Sequence, residues 1–171
     1  MDYAEIIGQI LGFLAVIFGF ISFQMKTHKK LMLTQVGISG TFVIHYLLIG
    51  AKTACVLNFI CVLRNLVYCY SDKKIFSGKF YPPLFAFIMV IFGAFSWQGW
   101  YSLFSILGLG INTICLSLKN PQKIRYSILV TSPLIIIYDI VAKSYGGLML
   151  ETTVMISSII GIIRYRKQVN S

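Results

Sequence analysis

Apolar segments fill this chain almost from one end to the other and leave only short polar gaps between them. Of its 171 residues, 57% are hydrophobic and only 12% are charged. One water-soluble core cannot bury so many apolar side chains, whereas a bilayer accommodates helices of about 20 apolar residues, or about 17 at the short end. The sequence therefore predicts an all-α integral membrane protein with no room for a separate soluble domain.

Seven segments have the length and apolarity expected of spanning helices. They lie at residues 4–24, 31–49, 53–70, 81–97, 101–118, 126–142 and 147–164. The weakest break is the one between the fourth and fifth segments, where the only separator is the run Trp97, Gln98, Gly99, Trp100 and Tyr101. Tryptophans beside a glycine suit a turn at the membrane interface, so we expect a break there.

Basic residues crowd into every second gap between these segments. The gaps after spans two and six contain only Lys52 and Lys143, whereas twelve basic residues follow spans one, three, five and seven: Lys26, Lys29, Lys30, Lys73, Lys74, Lys79, Lys119, Lys123, Arg125, Arg164, Arg166 and Lys167. Because Lys and Arg accumulate on the cytoplasmic side, this predicts the N-terminus outside and the C-terminus inside. Topology and anionic lipid explain the net charge of +10, and we expect no nucleic-acid partner.

The four cysteines lie within apolar stretches and do not have the spacing of metal ligands, so we expect no metal and no other cofactor. Asp2 and Glu5 precede the first apolar run, and lysines follow it. A cleaved signal peptide has the opposite arrangement. We therefore interpret this run as an uncleaved first span.

A constant offset of 93 residues superposes the first part of the chain on the last. It places Ser39 on Ser132 and Leu57 on Leu150, and it aligns four pairs of basic residues: Lys26 with Lys119, Lys30 with Lys123, Lys73 with Arg166 and Lys74 with Lys167. Small transporters are often built from such repeats. The pattern predicts one membrane domain, 1–171, with repeat one at 4–74, a linker helix at 81–97 and repeat two at 101–167. Because one helix separates two three-helix bundles, both bundles point the same way, in a parallel 3+1+3 arrangement.

Polar residues inside spans are costly and mark candidate sites. Asn58 and Asn65 are seven residues apart and share one face of span three, as do Glu151 and Ser158 in span seven. Such stripes, facing each other, would line a substrate pathway between the two halves. Alternatively, Asn and Ser link helices by hydrogen bonds, and Glu151 is favoured by the helix dipole close to the start of its span.

His45 and Asp139 lie near the outer ends of spans two and six, and Ser132 shares a face with Asp139. We expect an outer gate or a protonation site at these positions. The alternatives are a salt bridge from Asp139 to Lys143 and an interfacial anchor at His45.

Arg64 is the only basic residue placed well inside a span, where an unpaired charge costs about 3 kcal/mol or more. It could extend to the inner interface, pair with a carboxylate, or bind an anionic substrate. Gly40 and Pro133 occupy equivalent places in spans two and six and would act as hinges. Asn112, on a small-residue face of span five, is a further candidate for the pathway.

Short motifs along the whole chain resemble the YgjV-type bacterial inner membrane proteins. They are His45-Tyr46-Leu47-Leu48-Ile49-Gly50, then Asn58 and Arg64, then Gly146-Gly147 before Glu151, and the closing Ile163-Arg164-Tyr165-Arg166. This resemblance implies a multi-pass protein of the bacterial inner membrane.

The 3+1+3 layout is more distantly similar to SWEET sugar transporters, PQ-loop proteins and PnuC-type vitamin transporters. Asn58 matches one asparagine of the sugar transporters, but Glu151 stands at the second position. The only Pro-Gln dipeptide, Pro121-Gln122, is expected in a loop, and only span six has a comparable proline. The similarity therefore implies a polar or cationic solute more than a neutral sugar.

The sequence thus favours a small-solute transporter working by alternating access, with the lipid bilayer and a solute as partners. The alternative is a non-transporting membrane protein that acts as a regulator or an assembly partner. Enzymatic motifs such as HExxH and GxSxG are missing from the sequence, so we do not expect an enzyme. Small-residue ridges on spans one and five would also allow a homo-oligomer.

Overall fold

The computed structural model describes residues 3–23, 28–70, 78–117 and 121–170. Within these ranges it contains seven helices: α1 (Tyr3–Phe23), α2 (His28–Leu48), α3 (Lys52–Cys69), α4 (Tyr81–Phe95), α5 (Ser102–Leu116), α6 (Pro121–Val141) and α7 (Tyr145–Asn170). Each predicted span is confirmed as a helix, including the break between spans four and five. Four residues of the predicted basic loops, Lys26, Lys73, Lys74 and Lys119, lie outside the described residues.

Two helix boundaries differ clearly from the prediction. Helix α6 begins at Pro121 rather than at 126, because proline is favoured in the first turn of a helix, where its missing N–H is not needed. The loop predicted for Pro121-Gln122 is therefore wrong, and Lys123 and Arg125 lie on the first turns of α6. Helix α7 continues to Asn170 instead of ending at 164, so its polar end extends beyond the apolar span.

Five of the helices, α1, α2, α3, α6 and α7, are long and apolar enough to cross a membrane. The apolar helices α4 and α5 have only 15 residues each, shorter than the predicted spans. At about 1.5 Å per residue, each is about 22 Å long, against about 30 Å for the hydrocarbon core of a bilayer. Many large apolar side chains, such as Phe87 and Phe95, are exposed on the outside of the bundle, where a lipid-facing surface requires them.

Successive helices run in opposite directions. At one end of the bundle, which we call the Asp139 end, Gly8 near the start of α1 lies beside His45 near the end of α2. Ala54 at the start of α3 lies beside Tyr138 near the end of α6. This end therefore gathers the first residues of the odd-numbered helices and the last residues of the even-numbered ones.

The opposite end, which we call the Arg64 end, brings together the last turn of α3 and the first turn of α2, where the Cys69 thiol lies 3.8 Å from the Lys29 carbonyl. It also joins Arg125 of α6 to the Gly161 carbonyl of α7. Basic residues separate by end: Lys52 and Lys143 lie at the Asp139 end, whereas the Arg64 end has Lys29, Lys30, Lys79, Lys123 and Arg125.

Six helices form a closed ring, with neighbours in the order α1, α2, α3, α5, α6, α7 and back to α1. Helix α4 packs against α3 and α5. At the Asp139 end, a buried apolar cluster is formed by helices on both sides of the ring together with Ala51: Ala15, Val16, Ile38, Phe42, Tyr46, Ala51, Ala54, Tyr138 and Leu150. A second cluster joins α3, α4 and α5: Leu57, Ile60, Cys61, Phe85, Met89 and Ile106.

The turn between α2 and α3 and the turn between α6 and α7 have the same backbone structure. In the first, the N–H of Ala51 donates to the Tyr46 carbonyl at 2.8 Å, and in the second the N–H of Ser144 donates to the Asp139 carbonyl at 2.9 Å. Three further backbone hydrogen bonds of the first turn recur in the second at the same offset of 93 residues. Each turn contains one residue in the left-handed region, Gly50 with φ of 77° and Lys143 with φ of 55°.

A glutamine bridges each of these turns. The Gln9 amide donates to the Lys143 carbonyl at 2.8 Å and accepts from the Tyr145 N–H at 3.2 Å. The Gln98 amide donates to the Gly50 carbonyl at 3.0 Å and accepts from the Thr53 N–H at 3.3 Å. These bonds connect α1 to the α6–α7 turn and the α4–α5 turn to the start of α3.

Small residues let the helices at two seams of the ring approach closely. Where α1 meets α7, Gly12 lies so close to Gly146 that a Cβ at Gly146 would touch the Gly12 backbone. Where α3 meets α5, the hydroxyls of Thr53 and Ser102 are 3.0 Å apart. Both contacts lie near the Asp139 end.

Candidate functional site

His45 lies at the centre of a polar cluster at the Asp139 end. Its side chain has no exposed surface, so the interfacial anchor considered for it is wrong. Nδ1 lies 2.7 Å from the Gly8 carbonyl of α1, and Nε2 lies 2.8 Å from the Ser144 hydroxyl in the α6–α7 turn. Because a carbonyl oxygen only accepts, Nδ1 must carry a hydrogen. His45 thus connects the end of α2 to both α1 and the α6–α7 turn.

Asp139 is completely buried in the same region. The hydroxyl of Tyr46 in α2 donates to its Oδ1 atom at 2.7 Å. Oδ2 is the one fully buried side-chain oxygen or nitrogen in the described part of the chain that has no hydrogen-bond partner. The salt bridge considered between Asp139 and Lys143 is wrong, because Lys143 lies in the turn beyond the end of α6 with its side chain exposed.

Tyr138 closes the centre of the ring beside Asp139. Its hydroxyl accepts a hydrogen bond from the backbone N–H of Ala54 at 3.2 Å. Its ring lies edge-on to Tyr46, with centroids 6.4 Å apart. Tyr46 and Tyr138 therefore bring α2, α3 and α6 together across the ring and contribute to the apolar cluster that fills this end.

Glu151 lies half-buried on α7 and accepts a hydrogen bond from the Ser132 hydroxyl of α6. Asp139 lies two helical turns from Ser132 and contacts Gly147, one turn before Glu151. The predicted common face of Ser132 and Asp139 is thus confirmed, because both residues contact α7. Two carboxyl groups follow one another along the α6–α7 interface.

Asn58 and Ser158 bond to their own helices. The Asn58 amide donates to the Ala54 carbonyl at 2.9 Å, and the Ser158 hydroxyl donates to the Val154 carbonyl at 2.8 Å. In the described structure, the side-chain hydrogen bond of Asn58 stays within α3, and that of Glu151 goes to Ser132 of α6. The structure therefore does not bring Asn58 and Glu151 together, and their predicted joint contact with a solute stays a prediction.

Arg64 is buried between α3 and α5, with only 2% of its side chain exposed. Nε and Nη2 donate to the Oδ1 atom of Asn65 at 3.1 and 2.9 Å, and Nη1 donates to the Thr113 hydroxyl at 2.6 Å. The Asn65 amide in turn lies 3.4 Å from the Ser39 hydroxyl of α2. Each of these acceptors is neutral, so the guanidinium neither extends to the interface nor pairs with a carboxylate of the described chain.

Gly40 and Pro133, the predicted hinges, both lie inside unbroken helices. A Cβ at Gly40 would have no neighbour within 4 Å, so close helix packing does not require a glycine there. Pro133 has an exposed side chain, and Asn112 is half-buried on α5. Their roles as hinges and as a pathway residue stay predictions.

The sequence reasoning missed four residues that complete these clusters: Tyr46, Tyr138, Ser144 and Thr113. Tyrosines and threonines are common in apolar helices, so composition alone does not single them out. One signal was available for Tyr46, because the offset of 93 places it on Asp139, the residue to which it bonds.

Within the described ranges, no three His, Cys, Asp or Glu side chains form a group that could hold a metal ion.

Comparison with known proteins identifies the family of this chain. No curated protein and no solved structure matches the chain. A family model described as "Bacterial inner membrane protein" matches residues 6–169. The match confirms the resemblance drawn from the short motifs, together with the inner-membrane location, and the chain belongs to the Imp-YgjV family of bacterial inner membrane proteins.

Proposed function

We propose that this protein transports a small polar or cationic solute across the bacterial inner membrane, by alternating access between two three-helix units. The first unit comprises α1 to α3, the second comprises α5 to α7, and α4 is the linker helix. The observation that carries the proposal is the recurrence of the α2–α3 turn, with four of its backbone hydrogen bonds, in the α6–α7 turn.

The pattern of helix contacts supports the same two units. Within the first, α2 packs against α1 and α3, and within the second, α6 packs against α5 and α7. The two contacts between units are equivalent as well, because α1 meets α7 and α5 meets α3. A parallel 3+1+3 repeat accounts for this pattern, and inverted or parallel repeats are the usual basis of rocking motions in transporters.

The charge distribution supports an orientation. The Arg64 end carries most of the described basic residues, so it would face the cytoplasm and the Asp139 end would face outward. This gives the N-terminus outside and the C-terminus inside. Tyr46, Tyr138 and the surrounding apolar cluster fill the outward end, so the described conformation is closed to the outside.

The solute would bind between the units, on the cytoplasmic side of this closed end. Glu151 provides a half-buried carboxyl group at the α6–α7 interface, and Asn58 provides an amide on α3. A carboxylate in such a place favours a cation or a hydrogen-bond donor. Asn65, Ser158 and Asn112 extend the polar lining towards the Arg64 end, and Arg64 stabilises α3 against α5.

Uptake by the reconstituted protein tests the proposal. Proteoliposomes containing the wild-type chain should accumulate at least one solute from a panel of labelled amines, amino acids and vitamins. Glu151→Gln and Asn58→Ala should lower the initial rate at least tenfold. Thr152→Ala, which changes an exposed neighbour of Glu151, is the matched control and should leave the rate unchanged. If no solute of the panel enters, or if all three variants transport equally, the proposal fails.

A non-transporting role as a regulator or assembly partner is the second candidate. It is favoured by the hydrogen bonds of Asn58 and Ser158, which are directed to their own helices rather than across the ring. In that case, the polar residues of the spans only stabilise the bundle. Affinity purification after crosslinking in membranes would then recover one stoichiometric partner, and the recovery would not change with Glu151→Gln.

A further inference from the structure

A buried carboxyl group joins the two units at the outward end, and the proposed function does not yet use it. Asp139 lies on α6 and Tyr46 lies on α2, and the two residues are 93 positions apart. Residues related by a twofold axis contact each other only when they lie close to that axis. The Tyr46–Asp139 hydrogen bond therefore lies where a rocking motion of the units would separate its two partners.

No cationic group lies beside the Asp139 carboxyl group in the described part of the chain. An ionised carboxylate that is removed from water without a cation costs several kcal/mol. Oδ1 accepts only the neutral Tyr46 hydroxyl, and Oδ2 has no hydrogen-bond partner among the described residues. The titratable and charged groups near it are Tyr46 and His45 of α2, Tyr138 of α6, Lys143 in the turn and Glu151 of α7, and Cys55 of α3 and Tyr101 before α5 lie against Tyr138. Lys143, the lysine of this set, is exposed.

The Ser144 hydroxyl lies on the same side of Gly147 as Oδ2, because a Cβ at Gly147 would touch both oxygens. The two oxygens do not bond in the described conformation, and a small side-chain rotation would bring a proton on Oδ2 to Ser144. The directions of the other bonds are fixed. Nδ1 of His45 donates to the Gly8 carbonyl, so in a neutral ring Nε2 accepts from the Ser144 hydroxyl. The Ser144 oxygen, which also accepts from the Gly147 N–H, can then receive the Asp139 proton.

We infer that Asp139 is a proton-binding site, which holds a proton while the Asp139 end is closed and releases it to water when that end opens. The O–H bond of the carboxyl group breaks on opening, the electron pair stays on Oδ2, and the proton leaves as hydrated H⁺. The closed state thus binds one proton more than the open state, so a rise in pH favours opening. The inference rests on the proposed function only for the motion that opens this end.

Infrared spectroscopy of the reconstituted protein tests the protonation directly and needs no solute. At neutral pH, the wild type should show a band from a protonated carboxyl group. Glu151→Gln should retain this band, and Asp139→Asn added to Glu151→Gln should remove it, because Glu151 is the other carboxyl group at the α6–α7 interface. Tyr46→Phe should shift it to higher frequency, because the carboxyl group loses a hydrogen-bond donor, and this variant serves if Asp139→Asn does not fold. A Glu151→Gln protein without the band, or a band that persists when Asp139→Asn is added to it, overturns the inference.

Distance measurements test the link to opening. Spin labels on non-natural amino acids at Leu47 and Ile140 would leave the four cysteines in place. Both side chains are exposed, and the two residues occupy equivalent positions in the last turns of α2 and α6. The distance between the labels should lengthen as the pH rises in the wild type and stay short at every pH in Asp139→Asn. A wild-type distance that is independent of pH overturns the coupling. A carboxyl band without any solute uptake would instead retain the proton site and reject the transport function.

Discussion

Gly50 and Lys143 occupy the same position in two turns that share four backbone hydrogen bonds, and both have a left-handed backbone, with φ of 77° and 55°. Glycine adopts this conformation without strain, whereas a residue with a Cβ is disfavoured there by about 1 kcal/mol. One copy of the turn therefore has a residue suited to its backbone, and the other copy is strained.

Lys143→Gly should stabilise the protein by about 0.5 kcal/mol, because the relief of strain exceeds the extra freedom of glycine in the unfolded chain. The free energy of unfolding in detergent micelles would measure the gain. The matched change, Gly50→Lys, should destabilise by about 1 kcal/mol. If Lys143→Gly lowers the stability, the lysine side chain has a stabilising contact that its exposure does not reveal.

Gly146→Ala should destabilise the seam between α1 and α7. The new Cβ would touch the backbone of Gly12, and backbone cannot move aside as a flexible side chain can. We expect a loss of about 1 to 3 kcal/mol, as in overpacked cores. Gly110→Ala in α5 is the control, since its Cβ meets no atom within 4 Å and alanine favours a helix by up to about 1 kcal/mol. Equal effects of the two changes would show that the seam tolerates a wider separation.

The effects of substitutions at Arg64 and Asn65 on the free energy of unfolding should be strongly non-additive. Asn65→Leu leaves the buried guanidinium with Thr113 as its remaining described acceptor, and an uncompensated buried charge costs about 3 to 5 kcal/mol. Arg64→Leu with Asn65→Leu removes the charge as well and should be more stable than Asn65→Leu alone. A double-mutant cycle of unfolding free energies measures the difference. Losses that simply add would mean that another group stabilises the arginine.

The two glutamine bridges should differ in strength. Gln9→Glu and Gln98→Glu each replace a donating amide with an oxygen that faces a backbone carbonyl. Gln9 is buried and Gln98 is exposed, so the lost hydrogen bond should cost about 1 to 3 kcal/mol at Gln9 and less at Gln98, where water replaces it. Thermal unfolding of the two variants side by side gives the comparison, and a larger loss at Gln98 would contradict it.

Hydropathy and turn chemistry were sufficient to predict the helices, because both are local. The break at Trp97 to Tyr101 is an example, since its short polar run ends one helix and begins another. The predicted start of α6 was too late in the chain. Hydropathy excludes Lys123 and Arg125 from an apolar span, although a helix tolerates them in its first turns. The partners of the polar residues were not predictable in the same way. His45 and Ser144 are 99 residues apart, and Gln9 and Lys143 are 134 apart, so their contacts depend on how each helix is rotated within the ring.

The shortness of α4 and α5 has a consequence for the lipid around the protein. The two helices lie side by side and meet in a turn at the Asp139 end, and their other ends, Tyr81 and Leu116, pack with Met32, Tyr68 and Cys69 at the Arg64 end. Because both helices are short, hydrophobic mismatch would draw the lipid headgroups inward along this side of the bundle. Water and phosphate groups would then come closer to Arg64 than its place in α3 suggests. The protein should accordingly be more stable in bilayers of shorter acyl chains than in those of longer ones.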